Sequence, residues 1–509
     1  GGPGTISPYT GNFGALIDHC LSGSNYFGGT GTRIDFISYH NKALADAQSQ
    51  LDVNVISGLL TAHPSLADTL FVNGEADTEV GWWSDLEFRA TPWYASFIAR
   101  QVRNGQVNVI NGLGVKFRLA NDNAFIGTWH NRTQFTWFGD ESNFALIKKP
   151  AHNVFTMLSL LGDQQASTSA DVVNGSAILG ALASVRDTSQ AAVLLYNYST
   201  DTAATGTTDV ALSVSNVPFS AGKIVEYRID KDHGDTYALW QSQGSPATPS
   251  AVQLQELRDN QELPRLSISD LAGNSASANV SLPLGSVSLF LFAADPGTPP
   301  ASVSNLSVRV YQGIVSGQED VMLSWRHDGW TVKTFEVFFS ATSDGTFERV
   351  NAPDLLAYAY THQIAASGAG FYKVRAVDFW DRVGPFSDTI GLDGSVVPNP
   401  DEAVGGSGGT GGSGGVASTT GGSTSTGGAA AGGAPGSGGA PPATAGSGAA
   451  SPAASSNGEG GGCGACATGR GPSSWGALSL LTLALGAFVR RRRMAGVDLD
   501  DSHDEHPSH

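Results

Sequence analysis

Glu75 stands in the heptapeptide Phe71-Val-Asn-Gly-Glu-Ala-Asp77, and Glu79-Val-Gly-Trp-Trp83 follows directly. The run Thr69, Leu70, Phe71, Val72 reads as a short buried strand that delivers a carboxylate into a segment of small residues. An acid at the end of a strand, with two indole rings close behind it, has the ingredients of a sugar site. The carboxylate can act at the anomeric centre, and the ring faces can stack on a pyranose. The plain alternative is a strand-to-loop turn with a solvated Glu75 and with Trp82 and Trp83 used only for packing.

Neighbouring segments add further chemistry in a fixed order. Gly1-Gly-Pro-Gly4 comes first, then Arg33-Ile-Asp-Phe-Ile-Ser-Tyr-His40 with Asn41-Lys42. Glu75-Ala-Asp77 with Gly81-Trp82 follows, then Asn121-Asp-Asn-Ala-Phe125 and Lys149-Pro150. Late in the chain come Tyr372-Lys-Val-Arg-Ala-Val-Asp-Phe-Trp380 and Gly384-Pro-Phe-Ser-Asp388. Together these motifs closely resemble glycoside hydrolase family 39, nearest its α-L-iduronidase branch, over residues 1–395.

The resemblance implies a retaining O-glycosyl hydrolase acting on terminal α-L-iduronic acid or a related sugar. In that scheme Glu75 is the catalytic nucleophile. Lys42 and the backbone N–H of Gly81 meet the sugar carboxylate, Asp122 holds hydroxyls, and His40 and Arg132 complete the substrate-binding set. No cofactor and no metal are implied. The family's acid/base Glu follows strand four, upstream of Gly1, so this chain is expected to be a fragment that is inactive alone. One departure lies beside the nucleophile: the branch has Asn-Asp-Glu where this chain has Asn73-Gly74-Glu75. Bland roles stay open for some of these residues. Lys42 could be the solvated start of a helix, Asp122 an Asx-turn residue, and His40 a satisfied core histidine. A neutral xyloside, as in β-xylosidase-like members, and a non-catalytic glycan-binding or spacer protein also stay open.

The elements that must position these groups read as α/β followed by all-β. Over 1–162, short apolar runs at Ile34 and Thr69 alternate with helical stretches from Lys42 and Trp93, with another strand at Val107-Asn-Val-Ile110. By resemblance this is the C-terminal half of a (β/α)8 barrel, strands five to eight, with His40, Glu75 and Asn111 ending strands six, seven and eight. Barrel active sites lie at those C-terminal strand ends. Residues 163–297 carry short alternating strands, a β-sandwich signature, with one helix near Val252. Residues 298–395 resemble a fibronectin type III domain through Leu323-Ser-Trp325, Phe335-Glu-Val-Phe-Phe339 and Tyr372 to Val377.

Residues 396–462 are a Gly/Ser/Ala-rich linker with too little apolar content to order itself. Of the 65 glycines of this 509-residue chain, 23 fall in this one segment. Then come Cys463-Gly-Ala-Cys466, an apolar run from Trp475 to Val489, and Arg490 to Arg493. This segment, 463–493, resembles a bacterial MYXO-CTERM surface-sorting tail, and an acidic extension, 494–509, follows. It predicts a short apolar anchor helix, an exported protein, and attachment to the bacterial envelope membrane through residues 475–493. The net charge of −18 excludes a nucleic-acid partner, because phosphate binding needs a basic face. An acidic carbohydrate must likewise be captured by local cations. Three cysteines make no disulfide framework.

Overall fold

Three short parallel strands set the level of the candidate site. They are β1 (Phe36–Tyr39), β2 (Leu70–Asn73) and β3 (Lys116–Leu119), paired in the order β1-β2-β3. The computed structural model describes residues 11–79, 85–120, 124–140, 143–169, 172–366, 368–399 and 479–484. Helix α1 (Gly11–Ser22) precedes β1, α2 (Ala45–Ala62) connects β1 to β2, and α3 (Pro92–Asn104) lies between β2 and β3. Parallel neighbours require such crossover helices. The strands bury Ile37, Tyr39, Phe71 and Phe117 against Phe13 and Ile17 of α1 and Val55, Ile56 and Leu59 of α2. The buried stripe of α2 recurs at helical spacing, and a carboxylate, Asp52, sits in the middle of it.

The expected strand at Val107 to Ile110 is corrected. Residues Gly105–Asn111 continue α3 as π-helical turns, and Val109 enters the barrel-side core. β-Branched residues made this stretch look extended, but a helix already running from Pro92 carries them into contact. The chain turns at Gly114, whose φ is +68°, and the strand paired beside β2 is β3, not the segment ending at Asn111 that was expected as strand eight. A small sheet follows that the sequence reading did not anticipate. It comprises β4 (Ala124–Gly127), β5 (Thr133–Gly139) and β6 (Phe144–Lys148), and α4 (Pro150–Ser159) comes next.

The second region is a sandwich. Its larger sheet runs β13-β12-β15-β10-β9-β7, with β8 beside β9, and its smaller sheet contains β14 and β11. The strands are β7 (Gln164–Ala166), β8 (Val172–Asn174), β9 (Ala177–Arg186), β10 (Gln190–Ser199), β11 (Thr207–Ser215), β12 (Ala221–Ile229), β13 (Arg265–Ala272), β14 (Ala276–Pro283) and β15 (Ser286–Ala294). Helices α5 (Thr236–Ser242) and α6 (Ala251–Asp259) interrupt them. Strand β10 is buried on both faces. Ala191, Val193 and Leu195 meet Val210, Leu212 and Leu282 of the smaller sheet, while Leu194, Tyr196 and Tyr198 pack with Trp93 and Phe97 of α3. The sandwich therefore shares a core with the helix that follows the Glu75 loop. Trp93 Nε1 also donates to the Ser199 carbonyl at 2.9 Å, and Arg100 donates to the Tyr196 hydroxyl at 2.8 Å.

The third region pairs two sheets, β16-β17-β20 and β19-β18-β21-β22-β23. Its strands are β16 (Ser304–Gln312), β17 (Gln318–Arg326), β18 (Val332–Ser340), β19 (Glu348–Arg349), β20 (Ala359–Ala365), β21 (Phe371–Asp378), β22 (Thr389–Gly391) and β23 (Val396–Val397). Trp325, Phe335 and Tyr372 fill its core. Arg258 of α6 forks onto Asp320 of β17 at 3.0 and 2.6 Å, a buried bidentate pair that ties the second region to the third.

The anchor-helix expectation is also corrected. Within its apolar run, Ser479–Ala484 is a strand, β24, in parallel register with β11. An apolar segment beside an open sheet edge satisfies its backbone by strand addition. Among the described residues no helix is long and apolar enough to cross a membrane. Residues 400–478, which include Cys463 and all but the first four residues of the expected linker, lie outside the described residues, and of those four Val396–Val397 form β23.

Candidate functional site

Because β1 and β2 end level, with Tyr39 opposite Asn73, the residues that follow them emerge side by side. Backbone bonds stitch the two loops together: Gly74 N–H donates to Tyr39 O at 2.8 Å, and Ala43 N–H to Asp77 O at 3.0 Å. Ala76 N–H donates to Ala120 O at 2.9 Å, tying in the loop after β3. Lys42 consequently reaches Glu75, with its Nζ 2.7 Å from Oε2. The Lys42 side chain is 5% exposed and that of Glu75 37%. His40 Nδ1 lies 3.5 Å from the same oxygen, a charge-range contact rather than a good hydrogen bond.

These neighbours decide the charge state. Burial pushes the Glu75 carboxyl up, but the Lys42 hydrogen bond and charge, followed by His40 and Arg132, outweigh it and hold its pKa below the ordinary value. Burial depresses the Lys42 pKa, and the hydrogen bond to Glu75 offsets part of that effect. Burial also lowers His40, against the pull of Glu75 and with the push of Lys42. The result is an ionised, half-exposed carboxylate with a fixed ammonium beside it. An anion of that kind can attack an anomeric carbon, and the ammonium can receive a second, ligand-borne carboxylate.

Asp77, two residues further on, is fully buried and engaged. Arg89 Nη2 approaches Oδ2 at 2.6 Å, the Tyr94 hydroxyl donates to Oδ1 at 2.7 Å, and Arg132 Nε lies 3.4 Å from Oδ2. Burial first, and then the Asp77 charge, raise the Tyr94 phenol well above its usual pKa. The network anchors the Glu75 loop to the start of α3 and to the segment before β5. Lys149 props the same segment from behind, donating to the carbonyls of Trp129 and Asn131 at 2.8 Å each and to the Thr133 hydroxyl at 3.2 Å. Asp52 lies below the strand ends. Burial raises its carboxyl to about 7 against the donors around it, Asn41 first among them.

The fold thus brings together Glu75, His40, Lys42 and Arg132 of the expected set, with Arg132 joining through Asp77. Gly81, Asp122, Trp82 and Trp83 lie outside the described residues. Sequence reasoning missed Arg89, Tyr94 and Asp52, and it read Lys149 only as part of a motif, with no role of its own. The Asp52 signal was legible in principle, as a carboxylate on the buried stripe of an otherwise amphipathic helix. Among the described residues, no group of three or more His, Cys, Asp or Glu side chains is placed to hold a metal. Asp77, with two guanidinium partners, is not free to serve as the second carboxyl that a retaining mechanism needs about 5–5.5 Å from the nucleophile.

Comparison with known proteins adds an independent line. The family described as Glycosyl hydrolases family 39 matches residues 1–270, and the Alpha-L-iduronidase C-terminal domain matches 309–392. The α-L-iduronidase of Canis lupus familiaris is 30% identical over 411 residues, covering 74% of this chain and 61% of that protein. The Homo sapiens α-L-iduronidase is 29% identical over 408 residues, with the same shares. A solved bacterial orthologue of human α-L-iduronidase superposes with a TM-score of 0.70 at 30% identity, covering 75% of this chain and 69% of that one. The chain spans about three-fifths of the length of the curated relatives it matches, at 61% of each.

Proposed function

We propose, because this chain belongs to glycosyl hydrolase family 39, that it carries the nucleophile and the acid-reading half of a retaining glycosidase for terminal α-L-iduronic acid or a closely related uronide. The observation that carries the reading is Lys42, nearly buried and 2.7 Å from the Glu75 carboxylate. Glu75 forms the glycosyl–enzyme bond, and Lys42 keeps it ionised between turnovers. When a uronide enters, the ammonium is placed to share its charge with the sugar carboxylate, and Arg132 stands behind it. Gly81 and Asp122 are assigned their binding roles on the family motif alone. The acid/base role is assigned to no residue of this chain.

The modular division follows the sequence: 1–162 for the barrel portion, 163–297 for a supporting sandwich, and 298–395 for a fibronectin type III-like spacer. Residues 463–493 are proposed to mediate export and envelope attachment, on the strength of the linker, the Cys463-Gly-Ala-Cys466 motif and the Arg cluster, with Ser479–Ala484 held in the sheet as β24.

The uronide reading is tested with Lys42→Ala in the whole protein. A hydrogen bond to a charged group is worth about 1.5–3 kcal/mol. Hydrolysis of an iduronide should therefore lose about tenfold or more in kcat/KM relative to the matching neutral glycoside. Equal losses on both substrates would favour a neutral, xyloside-like specificity.

A further inference from the structure

We infer that Asp52, which is buried and does not touch Glu75 or Lys42 directly, is a positioning residue that sets the Lys42–Glu75 geometry through Asn41 and Asn73; the inference rests on the uronide reading above. Asp52 is 1% exposed and sits on α2, beneath the ends of β1 and β2. Its oxygens accept from Asn41 Nδ2 at 2.8 Å, Gln48 Nε2 at 3.1 Å, and Asn73 Nδ2 at 3.2 and 3.4 Å. A carboxylate is acceptor-only, so one buried group takes up donors from both strand ends at once.

The two asparagines also grip each other. Asn41 N–H donates to Asn73 Oδ1 at 3.1 Å, and Asn73 Nδ2 donates to Asn41 O at 3.1 Å. The triangle Asn41–Asp52–Asn73 therefore adds side-chain ties just past the paired ends of β1 and β2, where Gly74 to Tyr39 and Ala43 to Asp77 supply the backbone bonds between the two loops. Lys42 is the next residue after one corner, and Glu75 is two residues beyond another. The network also reaches Glu75 from its far side. Gln101 of α3 donates to Gln48 Oε1 at 2.5 Å and to the Ala76 carbonyl at 2.9 Å. Asp52 thus steadies Gln48, which Gln101 joins to the residue after Glu75. Glu75 is held from both neighbours while its own carboxylate stays half-exposed.

Replacing Asp52 by Asn keeps the shape but turns an amide N–H₂ toward a ring of donors. One strand end must then give up its contact, and the ammonium and the carboxylate no longer share one height. A misplacement of about 1 Å in a positioned group costs up to about 10²-fold in rate.

The test measures kcat/KM for an iduronide and for the matching neutral glycoside on the whole protein, and takes their ratio. A ratio on one preparation is independent of how much of a variant folds, so it separates positioning from loss of protein. Asn41→Ala is the second variant, should Asp52→Asn yield little protein. Asp46→Asn on the same helix is the control, since Asp46 pairs with Arg100 and Asn104 instead. Lys42→Ala should collapse the ratio, Asp52→Asn and Asn41→Ala should each lower it by about tenfold or more, and Asp46→Asn should leave it within about twofold. If Lys42→Ala leaves the ratio intact, the uronide reading is overturned. If Lys42→Ala collapses it while Asp52→Asn and Asn41→Ala keep it, the positioning role is overturned.

Discussion

At the scale of single residues, the site is a balance between burial and one salt bridge. Burial alone would make Glu75 a weaker acid, and Lys42 reverses that by supplying a charge at hydrogen-bond distance. Gly74 decides how His40 takes part. A Cβ at position 74 would lie 3.4 Å from His40 Cδ2 and Nε2, which is ordinary contact, so a side chain there would rest on the imidazole. The glycine leaves His40 with Glu75 as its nearby carboxylate, and burial keeps its pKa below normal. Gly74→Asp would place a second carboxylate against the ring. An adjacent opposite charge raises a histidine pKa by about 1–3 units. The expected outcome is an upward shift of His40, read by NMR titration of the ring and assigned with His40→Asn. An unshifted His40 would mean that the new carboxylate points away from the ring.

At the scale of elements, the legible parts were those where local pattern and tertiary role agree. Thr69 to Val72 reads as a strand, and β2 spans Leu70–Asn73, because Phe71 alternates into a core that α2 covers with its own periodic stripe. Strands β10, β12, β15, β17, β18 and β21 were legible for the same reason. Val107 to Ile110 was misread because β-branched residues favour extended backbone only when no helix is already propagating through them. The apolar run near residue 480 was misread as a helix because apolar length alone does not distinguish a span from an added strand. In the site, Lys42 and Glu75 were legible from motif position. The Asn41–Asp52–Asn73 triangle was not, since it joins side chains 11, 21 and 32 positions apart in sequence. No local period encodes such a closure. Arg89 and Tyr94 were hidden similarly, because their partner Asp77 lies across a loop whose path sequence alone does not fix.

At the scale of the whole molecule, a chain of net charge −18 nonetheless sets Lys42 against Glu75 and Arg132 against Asp77. Helix α3 links the Glu75 loop to the sandwich, carrying Tyr94 to Asp77 on one side and Trp93 into the sandwich core on the other. Among the described residues β1 and β3 each pair on one edge only. If the tail directs the protein to the envelope, the full chain should fractionate with membranes and a chain ending at Ala403 should not. A shortened chain that stays with membranes, or a full chain free of them, would remove that role from the tail. The claim on which everything else depends is that Glu75 is the nucleophile. A fluorinated iduronosyl fluoride traps a retaining enzyme as its glycosyl–enzyme intermediate, and peptide mass mapping locates the sugar. Applied to the whole protein, the label should fall on Glu75 and disappear in Glu75→Gln; a label on any other residue, or stoichiometric labelling of the Gln variant, would contradict the account.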